Sequence, residues 1–222
     1  MPPPQADEAV TVRVRMAGLA VASVGALAAL TVLVRQHSTF VASLDTSAHD
    51  YLRSLAFGHP DLVAVMRDVT HLGDTVTILV VDVFALVACL VLHRRPAAAF
   101  VALIGFGVWA LRLVLSGVVA RPRPADALWT ADGYSFPSGH TANTSAMAVI
   151  VVVTCWPFLG RVGRITLAVL ATLVIALVAA SRLIGGVHWP SDVLGGLLLA
   201  AAVVCIAGAV VPVNPMAPPT PR

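Results

Sequence analysis

Three short polar strings interrupt an otherwise apolar chain: Arg121-Pro122-Arg123-Pro124, Pro137-Ser138-Gly139-His140, and Ser181-Arg182 followed by His188 and Asp192. Guanidinium groups are planar, permanently charged forks that match phosphate oxygens and keep their charge near a low-dielectric boundary. Arg123 and Arg182 are therefore the primary candidate phosphate ligands, with Arg121 beside them. Ser138 and Gly139 open a helical stretch, where free backbone N–H groups favour an anion, and Gly139 lets the backbone come close. His188 and Asp192 stand one helical turn apart. A carboxylate so placed binds one ring nitrogen, fixes the tautomer and leaves the other nitrogen free to attack phosphorus. It also stabilises the imidazolium that forms. His140 comes from a separate segment and is free to protonate the departing oxygen. These residue types suit two-step hydrolysis of a phosphate monoester or terminal diphosphate: His188 attacks, His140 protonates, and water releases phosphate from His188.

The elements that must hold these residues are membrane helices. Of 222 residues, 59% are hydrophobic and 11% charged, against about 25% charged in a soluble domain. Much of the surface must face something other than water. Apolar runs recur at Met16–Val34, Val76–Leu92, Ala97–Val119, Thr141–Phe158, Ile165–Ala180 and Val193–Val211, each near the length that crosses a hydrocarbon core of about 30 Å. The expected fold is an all-α, polytopic membrane bundle of six transmembrane helices in a single domain over 1–222. The ends, 1–12 and 212–222, are expected to be disordered tails. Arg13 and Arg15 precede the first run, which is read as an uncleaved span rather than a signal peptide. The arginines divide almost evenly between the two sides, but those in the short turns around Arg94 and Arg95 and around Arg161 and Arg164 mark the cytoplasmic face. Both termini are then cytoplasmic, and the three polar strings converge on the outer face. The segment from Gln36 to Asp74 is too polar to span. Its apolar positions Leu44, Ala48, Tyr51, Leu52 and Leu55 predict a short helix lying on the outer interface.

Other polar residues have plainer readings. Cys89, Cys155 and Cys205 sit inside apolar runs and read as small hydrophobes. No Cys/His spacing suggests a metal site. His37, His49, His59, His71 and His93 are read as surface residues, and Trp109, Trp129, Trp156 and Trp189 mostly as interfacial anchors. Trp189 could also line the pocket, and Tyr134 and Phe136 could shape its entrance. Net charge is only +3, and no basic patch is interleaved with aromatics, so no nucleic-acid partner is expected.

The three strings resemble the signature of the type 2 phosphatidic acid phosphatase superfamily: Lys-x6-Arg-Pro, then Pro-Ser-Gly-His, then Ser-Arg-x5-His-x3-Asp. The second is matched in full by Pro137 to His140, the third by Ser181, Arg182, His188 and Asp192. The resemblance implies an acid phosphatase/vanadium haloperoxidase-like core, a phosphohistidine intermediate and no metal or other cofactor. It also implies a lipid phosphate substrate entering sideways from the bilayer. A polyprenyl diphosphate such as undecaprenyl diphosphate is the first candidate; phosphatidylglycerol phosphate and phosphatidate are the alternatives. The haloperoxidase branch is soluble, and six spans argue against it. One departure stands out: the lysine position falls on Ser116 if Arg123 is the family arginine, or on Val114 if Arg121 is. Arg112 lies one turn before Ser116 on the same helix face and is the candidate replacement. The missing lysine also raises a remote reading, an inactive lipid-phosphate-binding protein. Asp82, costly inside the second run, is expected either to pair with Arg112 or to face a polar cavity.

Overall fold

Proline and short polar breaks set the helix boundaries. The computed structural model describes residues 5–211. The helices are α1 (Gln5–Arg35), α2 (Thr39–Gly58), α3 (Pro60–Val69), α4 (Thr75–Val91), α5 (Arg95–Val119), α6 (Gly139–Cys155), α7 (Arg161–Ile184) and α8 (Pro190–Val210). Single 3-10 turns, Thr70–Gly73 and Trp156–Phe158, precede α4 and follow α6. Pro60, Pro96 and Pro190 stand in first turns, where the missing N–H costs nothing. Among the described residues, five helices are long and apolar enough to cross a membrane, and the count becomes six if α3, its 3-10 turn and α4, bent by 41°, form one span. Large apolar residues such as Val21, Phe84, Phe106 and Val162 are exposed on the outer faces, as a lipid-facing surface requires.

Helix α6 lies at the centre, against α4, α5, α7 and α8, and α1 runs along α8. Small residues explain the position of α6. Its buried face includes Ala142, Thr144, Ser145, Ala146 and Ala148, and small side chains let membrane helices approach closely. The apolar core gathers Val101, Ile104 and Val108 of α5 with Ile150 of α6 and Leu199 of α8.

One expectation is corrected here. Residues 5–12, expected in a tail, are helical and form the start of α1. The remaining expected tail residues, 1–4 and 212–222, lie outside the described residues. Helix α2 exists as expected, with its apolar positions turned outward as an interfacial helix requires. Its buried stripe is Val41, Asp45, His49, Arg53 and Ala56, while Leu44 and Tyr51 are exposed. The apolar side turns outward because the polar side has partners inside.

Candidate active site

The ends of α5, α6 and α7, the bend before α8 and the turn before α4 surround one polar pocket of about 620 Å³. Helix α5 stops at Ala120, which adopts a left-handed conformation with φ of 48°, and the chain then runs as an irregular loop to α6. That loop is tied down at several points. Leu128 N–H donates to the Gly185 carbonyl at 2.8 Å and Ser135 N–H to that of Arg121 at 2.9 Å. His49 Nε2 lies 2.9 Å from Asp126 Oδ1, and Arg53 Nε donates to Asp126 Oδ2 at 2.8 Å. Slight burial works the other way, yet these bonds hold the Asp126 carboxyl below its usual range.

His188 precedes α8 and is 3% exposed. Its Nδ1 lies 3.5 Å from Asp192 Oδ2, near enough to pair but without a formed hydrogen bond. Its Nε2 is 3.0 Å from Arg123 Nη1. A guanidinium only donates, so Nε2 presents its lone pair to the pocket and the ring proton belongs on Nδ1, toward Asp192. Burial pushes this imidazole down to about 4, against the pull of Asp192 and with the help of Arg123 and Arg182. Asp192 is itself clamped: Trp189 N–H donates to Oδ2 at 2.8 Å and Arg121 Nη1 to Oδ1 at 2.7 Å.

The arginines divide into two kinds. Arg121 is turned away from the pocket. Besides Asp192, it donates to Ser191 Oγ at 2.7 Å and from Nη2 to Asp45 Oδ2 at 2.6 Å. Asp45, which sequence reasoning missed, is 2% exposed and also accepts from the Ser191 N–H at 2.9 Å. Arg121, read from sequence as a phosphate ligand, is thus a brace behind Asp192, because two buried carboxylates claim it. Arg123 lines the pocket but donates to the carbonyls of Asp132, Gly133, Tyr134 and Val187. Arg182 gives Nη1 to Thr70 Oγ1 at 2.6 Å, and its Nε is buried without a partner. Arg112 also lines the pocket, with an equally unpartnered Nε. It packs across the start of α6, where a Cβ at Gly139 would lie 2.9 Å from its Cδ. A side chain at that position would force Arg112 to shift.

His140, Gly139, Arg112, Arg123, Arg182 and His188 all line the pocket, and Asp192 stands behind His188. Ser138 does not reach it as a side chain. It is fully buried and accepts from Thr141 Oγ1 at 3.0 Å, because its N–H is drawn to the Asp192 carbonyl at 2.9 Å. Arg67, Asp74 and Trp129 line the pocket unforeseen; the sequence shows them only as isolated residues in loops or beside the first apolar runs. Trp129 forms part of the pocket wall. Tyr134 lines the pocket, whereas Phe136 is in the core. His49, expected on the surface, is buried, with its ring 5.1 Å from that of Trp189.

Asp82 does not pair with Arg112. Its Oδ1 is buried without a partner, and it lines a second cavity of about 560 Å³ whose walls include Ile78, Leu79, Val83, Leu86 and Phe106. The α4 position of Asp82 points it to this groove, while Arg112 turns to Gly139. Thr75 and Asn143 border both cavities, so an apolar groove joins the cationic pocket.

Fold and site together define a polytopic α-helical membrane protein with a histidine- and arginine-lined anion pocket at one end of its bundle. The family model of the PAP2 superfamily matches residues 114–215, the stretch that carries all three strings. The decaprenylphosphoryl-5-phosphoribose phosphatase of Mycobacterium tuberculosis is 30% identical over 165 residues, spanning 72% of this chain and 86% of that protein. Phosphatidylglycerophosphatase B of Bacillus subtilis is 33% identical over 145 residues, 63% of this chain and 70% of that one. The crystal structure of a transmembrane PAP2 type phosphatidylglycerolphosphate phosphatase from Bacillus subtilis superposes with a TM-score of 0.74 at 27% identity, covering 85% of this chain and 93% of that one. The chain belongs to the PAP2 superfamily and is a multi-pass membrane phosphatase acting on lipid phosphates.

Proposed function

We propose that this phosphatase hydrolyses a polyprenyl phosphate or diphosphate through a phosphohistidine at His188, without a metal, on the extracytoplasmic side of the membrane. One observation carries the mechanism: His188, from the bend before α8, and His140, from α6, line the same pocket as Arg112, Arg123 and Arg182. The Nε2 lone pair of His188 attacks phosphorus. Arg112 and Arg182, whose Nε groups lack partners, take the phosphoryl oxygens, and Arg123 exchanges its bond to His188 for one to phosphate. His140 gives its proton to the departing oxygen, and water then cleaves the phosphorus–nitrogen bond. For the substrate, the apolar groove opening beside the pocket suits a single long apolar tail, and the Mycobacterium tuberculosis relative is named for a prenyl-linked phosphate. Phosphatidylglycerol phosphate is the second reading, favoured by the structural relative from Bacillus subtilis.

The test is phosphate release from a panel of detergent-solubilised lipid phosphates with EDTA present. Polyprenyl substrates should show the highest kcat/KM, with no loss to EDTA. His188→Ala should fall by about 10⁴-fold or more, as loss of a nucleophile does, and should lose the acid-labile phosphoryl adduct that rapid quenching traps on the wild type. Equal release by both proteins removes the nucleophile, inhibition by EDTA removes the metal-free claim, and a preference for phosphatidylglycerol phosphate selects the second reading.

A further inference from the structure

His140 presents a difficulty that the three strings do not resolve. To act as an acid it must carry a proton, yet the pocket around it is strongly cationic. Arg112 faces it from α5, Arg123 from the loop before α6, Arg182 from α7 and Arg67 from α3, with His188 across the pocket and His71 on the turn before α4. The lining carboxylates are Asp74 and Asp132, and Asp132 is exposed.

Asp74 is the residue that meets His140 directly. Its Oδ1 lies 3.2 Å from His140 Nε2, and its Oδ2 lies 2.7 Å from Nδ1 of the exposed His71. It occupies the N-cap position of α4 but makes no side-chain cap bond there. Aspartate is among the best capping residues, and losing a cap typically costs about 1 kcal/mol, so a carboxylate turned away from that role points to another. The backbone supports the same contact. A Cβ at Gly73 would lie 2.9 Å from both His140 Cδ2 and Val178 Cγ1, so the turn presses against the ring in a way only glycine allows. Ring orientation is thus set from the side by Gly73 and at Nε2 by Asp74.

We propose that Asp74 is the positioning residue and counter-ion of His140, keeping that imidazole protonated and aimed at the leaving oxygen. This rests on the phosphohistidine reading. With Nε2–H given to Asp74, Nδ1–H is the proton left for the substrate. In the first step the His188 Nε2–phosphorus bond forms and the phosphorus–oxygen bond to the lipid breaks. The electron pair goes to the lipid oxygen, which takes the Nδ1 proton. In the second step water oxygen bonds to phosphorus, its proton returns to His140 Nδ1, and the phosphorus–nitrogen bond breaks to restore neutral His188. Asp74 stays ionised throughout, as a carboxylate orienting a histidine does. His71 holds its second oxygen.

The experiment compares leaving groups. A lipid alkoxide needs a proton to depart; nitrophenolate does not. Asp74→Asn should lower kcat/KM for the preferred lipid phosphate by at least about tenfold more than that for nitrophenyl phosphate, within the range of general acid catalysis. The basic limb of its pH profile should also move to lower pH, because the imidazolium loses its partner. Equal losses on both substrates, or none on either, overturn the proposal. Asp74→Ser removes the charge but keeps a capping oxygen for α4, and it is read by the same ratio should the asparagine variant not fold. A wild type inactive on every lipid phosphate, or a fully active His188→Ala, instead removes the phosphohistidine reading on which the proposal rests.

Discussion

His188 and His140 line one pocket but are held in opposite ways. His188 is 3% exposed and sits on Asp192, which is clamped by Arg121 and the Trp189 N–H, with Asp45 beneath. The His140 side chain is 27% exposed and rests on Asp74, whose other oxygen is shared with the exposed His71. The difference follows the chemistry proposed for each. A nucleophile needs one fixed tautomer and a dry lone pair, so its support is buried and saturated with hydrogen bonds. A group that gives up and regains a proton must tolerate both charge states, so its support is an open carboxylate near water.

The comparison breaks most visibly at the deep end. Asp45→Ala removes a buried partner of Arg121 and should cost about 3 kcal/mol, the low end for a broken buried pair because Asp192 still neutralises Arg121. Thermal unfolding in detergent should show it, with activity falling as Asp192 loosens. An unchanged melting temperature would mean that the brace is idle. Next comes the pocket wall. Arg112→Ala removes a charge-assisted bond to phosphate, worth about 1.5–3 kcal/mol, so kcat/KM should fall roughly 10- to 150-fold; unchanged kinetics would take Arg112 out of the site.

A third effect sharpens the contrast without any substitution. His188 must be neutral to attack, and burial holds it near 4, below the ordinary imidazole value of about 6.5. As pH falls from neutrality, the nucleophile should therefore stay deprotonated until well below 6.5. The acidic limb of kcat/KM, corrected for the substrate's own ionisation, is the readout; a limb at 6.5 or above would contradict the burial argument. The smallest effect belongs to the loop tether. Asp126 is half exposed and its carboxylate is held low by His49 and Arg53, so Asp126→Asn should shift stability by no more than about 1 kcal/mol. A large loss of activity there would show that the loop, rather than the helix ends, sets the pocket.

Much of this was legible beforehand, and the misses share one cause. The apolar runs anticipated the helices of the bundle: Ala97–Val119 became α5, starting two residues earlier at Arg95. The helix in Gln36–Asp74 was legible too, but not the buried partners of its polar face. Amphipathic spacing shows that two faces differ, and in a membrane protein the apolar one turns to lipid when the polar one finds buried partners, as Asp45 does with Arg121 and Ser191. The Arg-Pro-Arg-Pro string shows the same limit, since adjacent spacing cannot say that Arg123 meets His188 while Arg121 turns to Asp45 and Asp192.

From sequence alone came the helical membrane class, the family strings and the local pairing of His188 with Asp192, because apolar run length and one-turn spacing are properties of a single segment. Tertiary structure decided that Arg112 reaches the pocket while Arg121 braces it, and that Asp74, 66 residues from His140, becomes its partner. Those outcomes depend on how each helix is rotated and how closely glycine lets two backbones approach, which only the packed bundle determines.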